Sequence, residues 1–132
     1  MKDLRYTVTR TDKGISILEI LSKKSVSKAK VEVIDFQKPE KHTYDFQGTP
    51  FQIKVWKALL KIKRGQTKTY SDIAKMIGRP TAVRAVASAI AKNNIAILIP
   101  CHRVIRSDGS IGEYRWGKKL KRELLQSEGI HV

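Results

Sequence analysis

The spacing of apolar residues changes near residue 48, and this change divides the chain into a strand-forming and a helix-forming part. Residues 6–10 and 15–20 flank Asp12-Lys13-Gly14, a sequence typical of a tight turn. Residues 30–36 alternate between apolar and polar side chains, as a third strand would. We therefore predict a small antiparallel sheet within about residues 1–37, with the polar segment 37–47 as its connection to the rest.

From Thr49 onwards the apolar residues recur every three or four positions, as on one face of a helix. The first stripe consists of Phe51, Val55, Leu59 and Ile62. A last helix is predicted over residues 118–128, where the spacing again becomes helical. Its expected buried residues are Leu120, Leu124 and Leu125.

Two more helices are predicted on either side of Gly78. Thr69 and Asp72 have the spacing of a capping box, so we expect a helix that begins there and ends at Gly78. Its expected apolar residues are Ile73, Met76 and Ile77. Pro80 suits the first turn of the next helix, predicted over residues 80–92. The residues expected to face its core are Val83, Val86, Ala87 and Ile90.

This pair of helices is typical of a helix-turn-helix, and its second helix has Arg84, Ala85 and Ser88 off the apolar stripe. Small residues with one long cation suit close contact with DNA, although an arginine on a helix face is usually only solvated. We predict an α+β fold, in which a small antiparallel N-terminal sheet precedes a mostly helical, winged-helix-like domain. The expected domains are residues 1–46 and 47–132.

The net charge of the chain favours a polyanionic partner. Lysine and arginine number 27 against 12 acidic residues, which gives a formal charge of +15. Nucleic acid is favoured over an anionic membrane, although a solvated lysine-rich surface would carry the same charge. No apolar run approaches the roughly 20 residues of a membrane span. With no secretion signal and one cysteine, we expect a reducing, cytoplasmic location.

Cys101 is the only cysteine, so it forms no internal disulfide, and three scattered histidines do not complete a thiolate zinc site with it. It follows the apolar run 95–99, which we predict to be a strand, and precedes His102 and Arg103. A basic neighbourhood favours a reactive thiolate. Composition alone favours a buried inert thiol, because most single cysteines are small core residues.

Residues 99–104, Ile-Pro-Cys-His-Arg-Val, resemble the active-site motif of O6-alkylguanine-DNA alkyltransferases. Other motifs of that family follow in its order over about residues 47–129. They are Gly48–Gln52 with Val55-Trp56, Gly65-Gln66-Thr67 with Tyr70, Arg84-Ala85-Val86, Asp108-Gly109-Ser110, Tyr114–Gly117, Lys121, and Leu124-Leu125 through Glu128-Gly129. The resemblance implies stoichiometric, single-turnover transfer of an alkyl group from O6 of guanine in double-stranded DNA to Cys101. It implies no metal and no cofactor, and we expect a monomer.

The resemblance also implies roles for individual residues. Cys101, an ordered water, His102 and Glu128 would form a proton relay, and Tyr70 would donate to guanine N3. Asn93 would tie the recognition helix to the active-site segment, and Arg84 would occupy the space left by the flipped nucleotide. The other residues implied to contact DNA are Thr81, Ala85, Ser88 and Arg103, with Ala82 and Ala89 nearby. Those implied to contact the substrate, besides Tyr70 and Cys101, are Val104, Tyr114, Arg115 and Trp116.

Several of these residues have simpler explanations that the sequence leaves open. Tyr70 could merely pack against its helix, Asn93 could merely end one, and Tyr114 or Trp116 could be wall residues. Glu128 stands at a helix C-terminus, where the dipole disfavours an anion, so it either has a partner elsewhere or lies in a frayed end.

The chain also departs from the family pattern. Asn94 stands where proline is usual and Glu113 where glycine is common, and the N-terminal region is short. Alternative functions are a lesion-binding alkyltransferase-like protein or an alkylation-sensing regulator, although the former replaces the cysteine that this chain keeps.

Overall fold

The computed structural model describes residues 5–21 and 34–132. Strands β1 (Tyr6–Thr11) and β2 (Gly14–Ile20) form an antiparallel hairpin, which confirms the predicted pair. Gly14 has a φ of +130°, and a Cβ on it would lie 2.4 Å from the Thr43 carbonyl oxygen. Most of the predicted third strand lies outside the described residues. Its last residues, 34–36, are not in a strand, so that part of the prediction was wrong.

The edge of β2 that does not pair with β1 is bonded to Thr43 and to the segment before Cys101. Near its start, the Ile15 amide donates to the Thr43 carbonyl at 2.9 Å. Farther along, the Leu18 amide donates to the Asn94 carbonyl at 2.8 Å, and the Ala96 amide donates to the Leu18 carbonyl at 2.9 Å. Ile15 and Leu18 are fully buried in the same core cluster as the helices. The hairpin is therefore packed directly against the segment before the cysteine.

The four helices have the order that the sequence predicts. They are α1 (Pro50–Leu59), α2 (Tyr70–Met76), α3 (Val83–Ala91) and α4 (Lys118–Ser127). Short 3₁₀ helices cover Pro39–Lys41 and Cys101–Arg103. Strands β3 (Lys68–Thr69) and β4 (Val104–Ile105) pair in parallel. This architecture confirms the α+β class, and no helix among the described residues is long and apolar enough to cross a membrane.

Local capping signals fix the starts of two helices. Thr49 and Gln52 form a capping box on α1, and Thr69 and Asp72 form the predicted one on α2. The start of α3 was predicted three residues too early. Pro80 and Thr81 form a turn and Ala82 is the N-cap of α3, so Pro80 precedes the helix instead of occupying its first turn.

Two details of the predicted core were also wrong. Met76 is 42% exposed, because it lies at the end of the short helix α2. In α3, Ala89 is buried and Ala87 only partly so. The space beside Ala87 belongs to a cavity that Cys101 also lines.

The apolar run before the cysteine is a turn, which overturns the predicted strand over residues 95–99. Ile97 has a φ of 65°, the left-handed region that a β-branched residue rarely adopts. The Leu98 amide donates to the Ala96 carbonyl at 2.7 Å, which tightens the reversal. The run is apolar because the turn is buried, not because it is extended: Ile95, Leu98 and Ile99 are each at most 3% exposed.

Candidate active site

Cys101 lies in the 3₁₀ helix after the buried turn, where it borders a cavity of about 470 Å³. Only 5% of its surface is exposed. Burial raises the pKa of the Cys101 thiol, so the resting side chain is protonated at neutral pH. The other cavity residues come from α2, α3 and the loop before α4. They include Tyr70, Arg84, Ser88, Tyr114 and Arg115.

Asn93 fixes the path of the buried turn and the position of the sulfur. Its Nδ2 donates to the carbonyls of Ile95 at 3.0 Å and Ile99 at 3.2 Å, and to Cys101 Sγ at 3.4 Å. Its Oδ1 accepts from the Ile95 amide at 3.0 Å. A single side chain just after α3 therefore holds both ends of the turn and the thiol.

Glu128, at the end of α4, binds two residues of the cysteine segment. Its Oε2 lies 2.7 Å from His102 Nε2, and its Oε1 accepts from Arg103 Nε at 2.7 Å. The side chains of His102 and Glu128 are 0% and 4% exposed. Burial acts to raise the pKa of Glu128, but hydrogen bonds from His102 and Arg103 outweigh it and lower the pKa to about 2. The Glu128 side chain is therefore buried with partners from another segment and does not lie in a frayed helix end.

The ionised carboxylate determines which nitrogen of His102 carries the proton. A carboxylate only accepts hydrogen bonds, so Nε2 donates to Glu128 and Nδ1 has a free lone pair. Burial lowers the pKa of His102, which keeps the imidazole neutral. Among the described residues, no group hydrogen-bonds to the buried His102 Nδ1 or to the buried Tyr114 hydroxyl. A neutral base with an available nitrogen therefore lies next to the thiol in sequence.

Lys121 was matched to a family motif, but its place in the site was not predicted. It is fully buried, and its Nζ donates to the Val104 carbonyl at 2.7 Å and the Glu113 carbonyl at 3.1 Å. Burial lowers the pKa of Lys121 to about 8. The spacing of Lys121 could have indicated its burial, because it lies three and four residues before Leu124 and Leu125 on the buried face of α4.

Comparisons with known proteins agree with this geometry. Residues 50–130 match the family model described as "6-O-methylguanine DNA methyltransferase, DNA binding domain". The chain belongs to this methyltransferase family. It is 55% identical over 84 residues to the Escherichia coli "Bifunctional transcriptional activator/DNA repair enzyme Ada", covering 64% of this chain and 24% of that one. It is 51% identical over 81 residues to a Saccharomyces cerevisiae "Methylated-DNA--protein-cysteine methyltransferase", covering 61% and 43%. The chain thus spans less than half of either relative.

Two solved structures resemble this methyltransferase-family chain over most of its described fold. Mycobacterium tuberculosis OGT in complex with DNA gives a TM-score of 0.77 at 35% identity, covering 93% of this chain and 85% of that one. Schizosaccharomyces pombe Atl1 in complex with damaged DNA containing O6-carboxymethylguanine gives 0.58 at 30% identity, covering 66% and 82%.

The outer face of α3 in this methyltransferase-family chain is exposed at Arg84, Ala85 and Ser88, and Thr81 is exposed in the preceding turn. Ala89 is buried and its carbonyl accepts from Trp56 Nε1 at 2.8 Å, so it is unavailable to DNA. The assignment of Arg103 to DNA contact was also wrong. Its guanidinium is buried between Glu128 and the Ile62 carbonyl, which accepts from Nη1 at 2.8 Å.

The loop Tyr114–Trp116 lies at one side of the cavity, which Tyr114 and Arg115 line. The rings of Tyr114 and Trp116 are 5.3 Å apart, and the Tyr114 ring lies 6.5 Å from His102. The Arg115 guanidinium turns away towards Asn93, Asn94 and β2, although part of its side chain lines the cavity. Of the two departures from the family pattern, Asn94 is a partner of Arg115. Glu113 is exposed and pairs with Lys118 at 3.1 Å.

Within residues 5–21 and 34–132, no three histidine, cysteine, aspartate or glutamate side chains are close enough to hold a metal ion.

Proposed function

We propose that this chain repairs DNA by direct reversal, transferring an alkyl group from O6 of guanine in a duplex to Cys101. The observation that carries the proposal is the position of the thiol: it borders an open cavity, and the adjacent His102 is bound to a buried, ionised Glu128. Stoichiometric transfer leaves the alkyl group on the protein, so each molecule acts once. The names of the E. coli and yeast relatives support this activity.

The first step is removal of the thiol proton. A water between Cys101 Sγ and His102 Nδ1 passes the proton to the imidazole, and Glu128 stabilises the imidazolium that forms. The unpartnered Nδ1 supports this route, because a buried nitrogen without a hydrogen bond is costly unless water reaches it. Burial raises the pKa of the thiol, so the base is needed to produce the thiolate.

The second step is displacement at carbon. The thiolate forms a bond to the alkyl carbon while the C–O6 bond breaks, and the electron pair moves from O6 into the purine ring. Tyr70 donates its proton to N3 as that charge develops. Burial raises the pKa of Tyr70, so its hydroxyl is protonated at neutral pH and able to donate. The proton on His102 then restores Tyr70 through solvent, so the thiol proton finally resides on guanine.

The substrate reaches the thiol only as a flipped nucleotide, because a stacked base is inaccessible. Arg84 is exposed on α3 and also lines the cavity, so it is suited to fill the gap in the stack. Beside it lie the small side chains of Ala85, Ser88 and Thr81, which allow the minor groove of DNA to approach closely. The net charge of +15, from 27 basic and 12 acidic residues, supplies the attraction to phosphates. We also propose a reducing, intracellular environment, since Cys101 acts as a free thiol.

The test is the intact and peptide mass of the protein after mixing with duplex DNA that contains O6-methylguanine. We expect one added methyl group, confined to the peptide with Cys101. The Cys101→Ala variant is the control, and it should still bind the lesion without gaining mass. Lesion binding by the wild type without a mass change would instead favour the lesion-sensing alternative. If the wild type shows no lesion binding and no transfer, the assignment is refuted.

A further inference from the structure

Arg115 connects the cavity loop to the N-terminal hairpin. Its Nη1 donates to the Asn93 carbonyl at 3.1 Å and to the Asn94 side-chain oxygen, and its Nη2 lies 3.2 Å from Glu19 Oε1. Its guanidinium also lies 5.3 Å from the centre of the Trp116 ring. One side chain therefore joins the loop, the turn after α3 and strand β2.

The backbone places these partners together. Leu18, next to Glu19, exchanges backbone hydrogen bonds with Asn94 and Ala96, so β2 runs beside the turn that Asn93 organises. Glu19 and Arg115 are partly exposed, at 44% and 35% of their side chains, so their contact contributes little to global stability. A contact that stabilises the fold only weakly can still hold the position of a loop.

We propose that Glu19, Arg115 and Asn94 form a latch that holds the loop Tyr114–Trp116 over the cavity and thereby limits the size of the alkyl group accepted. Glu19 and Asn94 are positioning residues, because they act through Arg115 and its neighbours Tyr114 and Trp116. The side-chain oxygen of Asn94 is the second acceptor of the latch, because it accepts from Arg115 Nη1. The short N-terminal hairpin then has a functional part, since it supplies the anion of the latch.

The inference rests on the proposed function for its kinetic test. A closed loop should assist transfer of a methyl group by excluding water, and should obstruct a benzyl group that needs more space. Opening the loop should lower the methyl rate and raise the ratio of the benzyl rate to the methyl rate. A general loss of folding would lower both rates alike.

The test variant is Glu19→Lys, which places a cation beside Arg115. Its matched control is Asp12→Lys, in the exposed turn at the other end of β2, because both substitutions change the net charge equally. Single-turnover transfer is measured at saturating duplex that contains either O6-methylguanine or O6-benzylguanine. We expect Glu19→Lys to slow methyl transfer by about tenfold, with a smaller loss for benzyl, while Asp12→Lys matches the wild type.

A second measurement does not depend on transfer. Trp56 is 3% exposed and Trp116 lies in the loop, so acrylamide quenching of the tryptophan fluorescence mainly reports the loop. Quenching should rise in Glu19→Lys and stay at the wild-type level in Asp12→Lys. An unchanged rate ratio in a protein that transfers methyl, or unchanged quenching, would overturn the latch. If the wild type transfers nothing, the proposed function fails, and the quenching comparison still decides the latch.

Discussion

Replacing Glu128 with glutamine tests whether one buried carboxylate serves both the fold and the relay. The carboxylate accepts charged hydrogen bonds from His102 and Arg103, each at 2.7 Å, and a weaker one from Arg103 Nη2 at 3.3 Å. Breaking a buried pair costs about 3–5 kcal/mol, but the glutamine oxygen still accepts from Arg103 and recovers part of it. We therefore expect Glu128→Gln to lower the free energy of unfolding by about 2 kcal/mol.

The same substitution should slow alkyl transfer by about a hundredfold, because the amide no longer selects the His102 tautomer or stabilises the imidazolium. Urea unfolding followed by tryptophan fluorescence measures the first effect, and single-turnover transfer measures the second. Glu123→Gln is the matched control, since Glu123 is exposed on the same helix. A stability loss below about 0.5 kcal/mol, within the range of an ordinary surface substitution, would refute the energetic reasoning.

The pH dependence of the free energy of unfolding gives an independent check of the direction in which the pKa of Glu128 is shifted. The pKa of Glu128 is lowered from its ordinary 4.5 to about 2, so the unfolded chain takes up this proton first as the pH falls. The stability that the ionised carboxylate contributes is complete above about pH 4.5 and is lost as the pH falls towards 2. The difference in stability between the wild type and Glu128→Gln should therefore shrink over that interval. A difference that stays constant would contradict the assigned pKa direction.

Three further substitutions test other parts of the site. Arg84→Ala should slow repair of duplex DNA by about tenfold or more while leaving reaction with free O6-benzylguanine nearly unchanged, because flipping costs a few kcal/mol only in a duplex; equal losses would contradict the role. Lys121→Met removes a buried cation that lowers the pKa of the Cys101 thiol, so it should raise that pKa further, seen in the ultraviolet titration of the thiolate. Gly48→Ala would place a Cβ 2.6 Å from the buried Trp56 ring, so it should cost about 1–3 kcal/mol in urea unfolding.

The parts of the fold that the sequence predicted correctly depend on local signals. Thr69 and Asp72 are three residues apart and satisfy each other within one turn, so their spacing alone indicates the start of α2. The turn around Gly14 is similarly local. The run 95–99 was misjudged because a buried turn and a buried strand both require apolar side chains. Its reversal depends on Asn93, whose side chain bonds to both ends of the turn.

The charges around the site could not be predicted from neighbouring residues. The resemblance implied that Arg103 contacts DNA, but its partner Glu128 lies 25 residues farther along the chain. Lys121 is 20 residues beyond Cys101 in sequence, and burial is compatible with its charge only because two carbonyls accept from it. Such pairings arise from tertiary packing, which a helical or strand period does not encode.

These pairings explain why Arg103, two positions after Cys101, does not keep the Cys101 thiol ionised at rest. The Arg103 charge is neutralised by Glu128, so the cations that lower the pKa of the thiol are Lys121 and Arg115, and burial outweighs them. A thiol that stays protonated at rest resists oxidation, because the thiolate is the reactive form. In the mechanism that we propose, the neutral His102 supplies the base when a substrate fills the cavity. Under the proposed function, the division of charge between Arg103 and Lys121 therefore leaves the thiol intact until its substrate is bound.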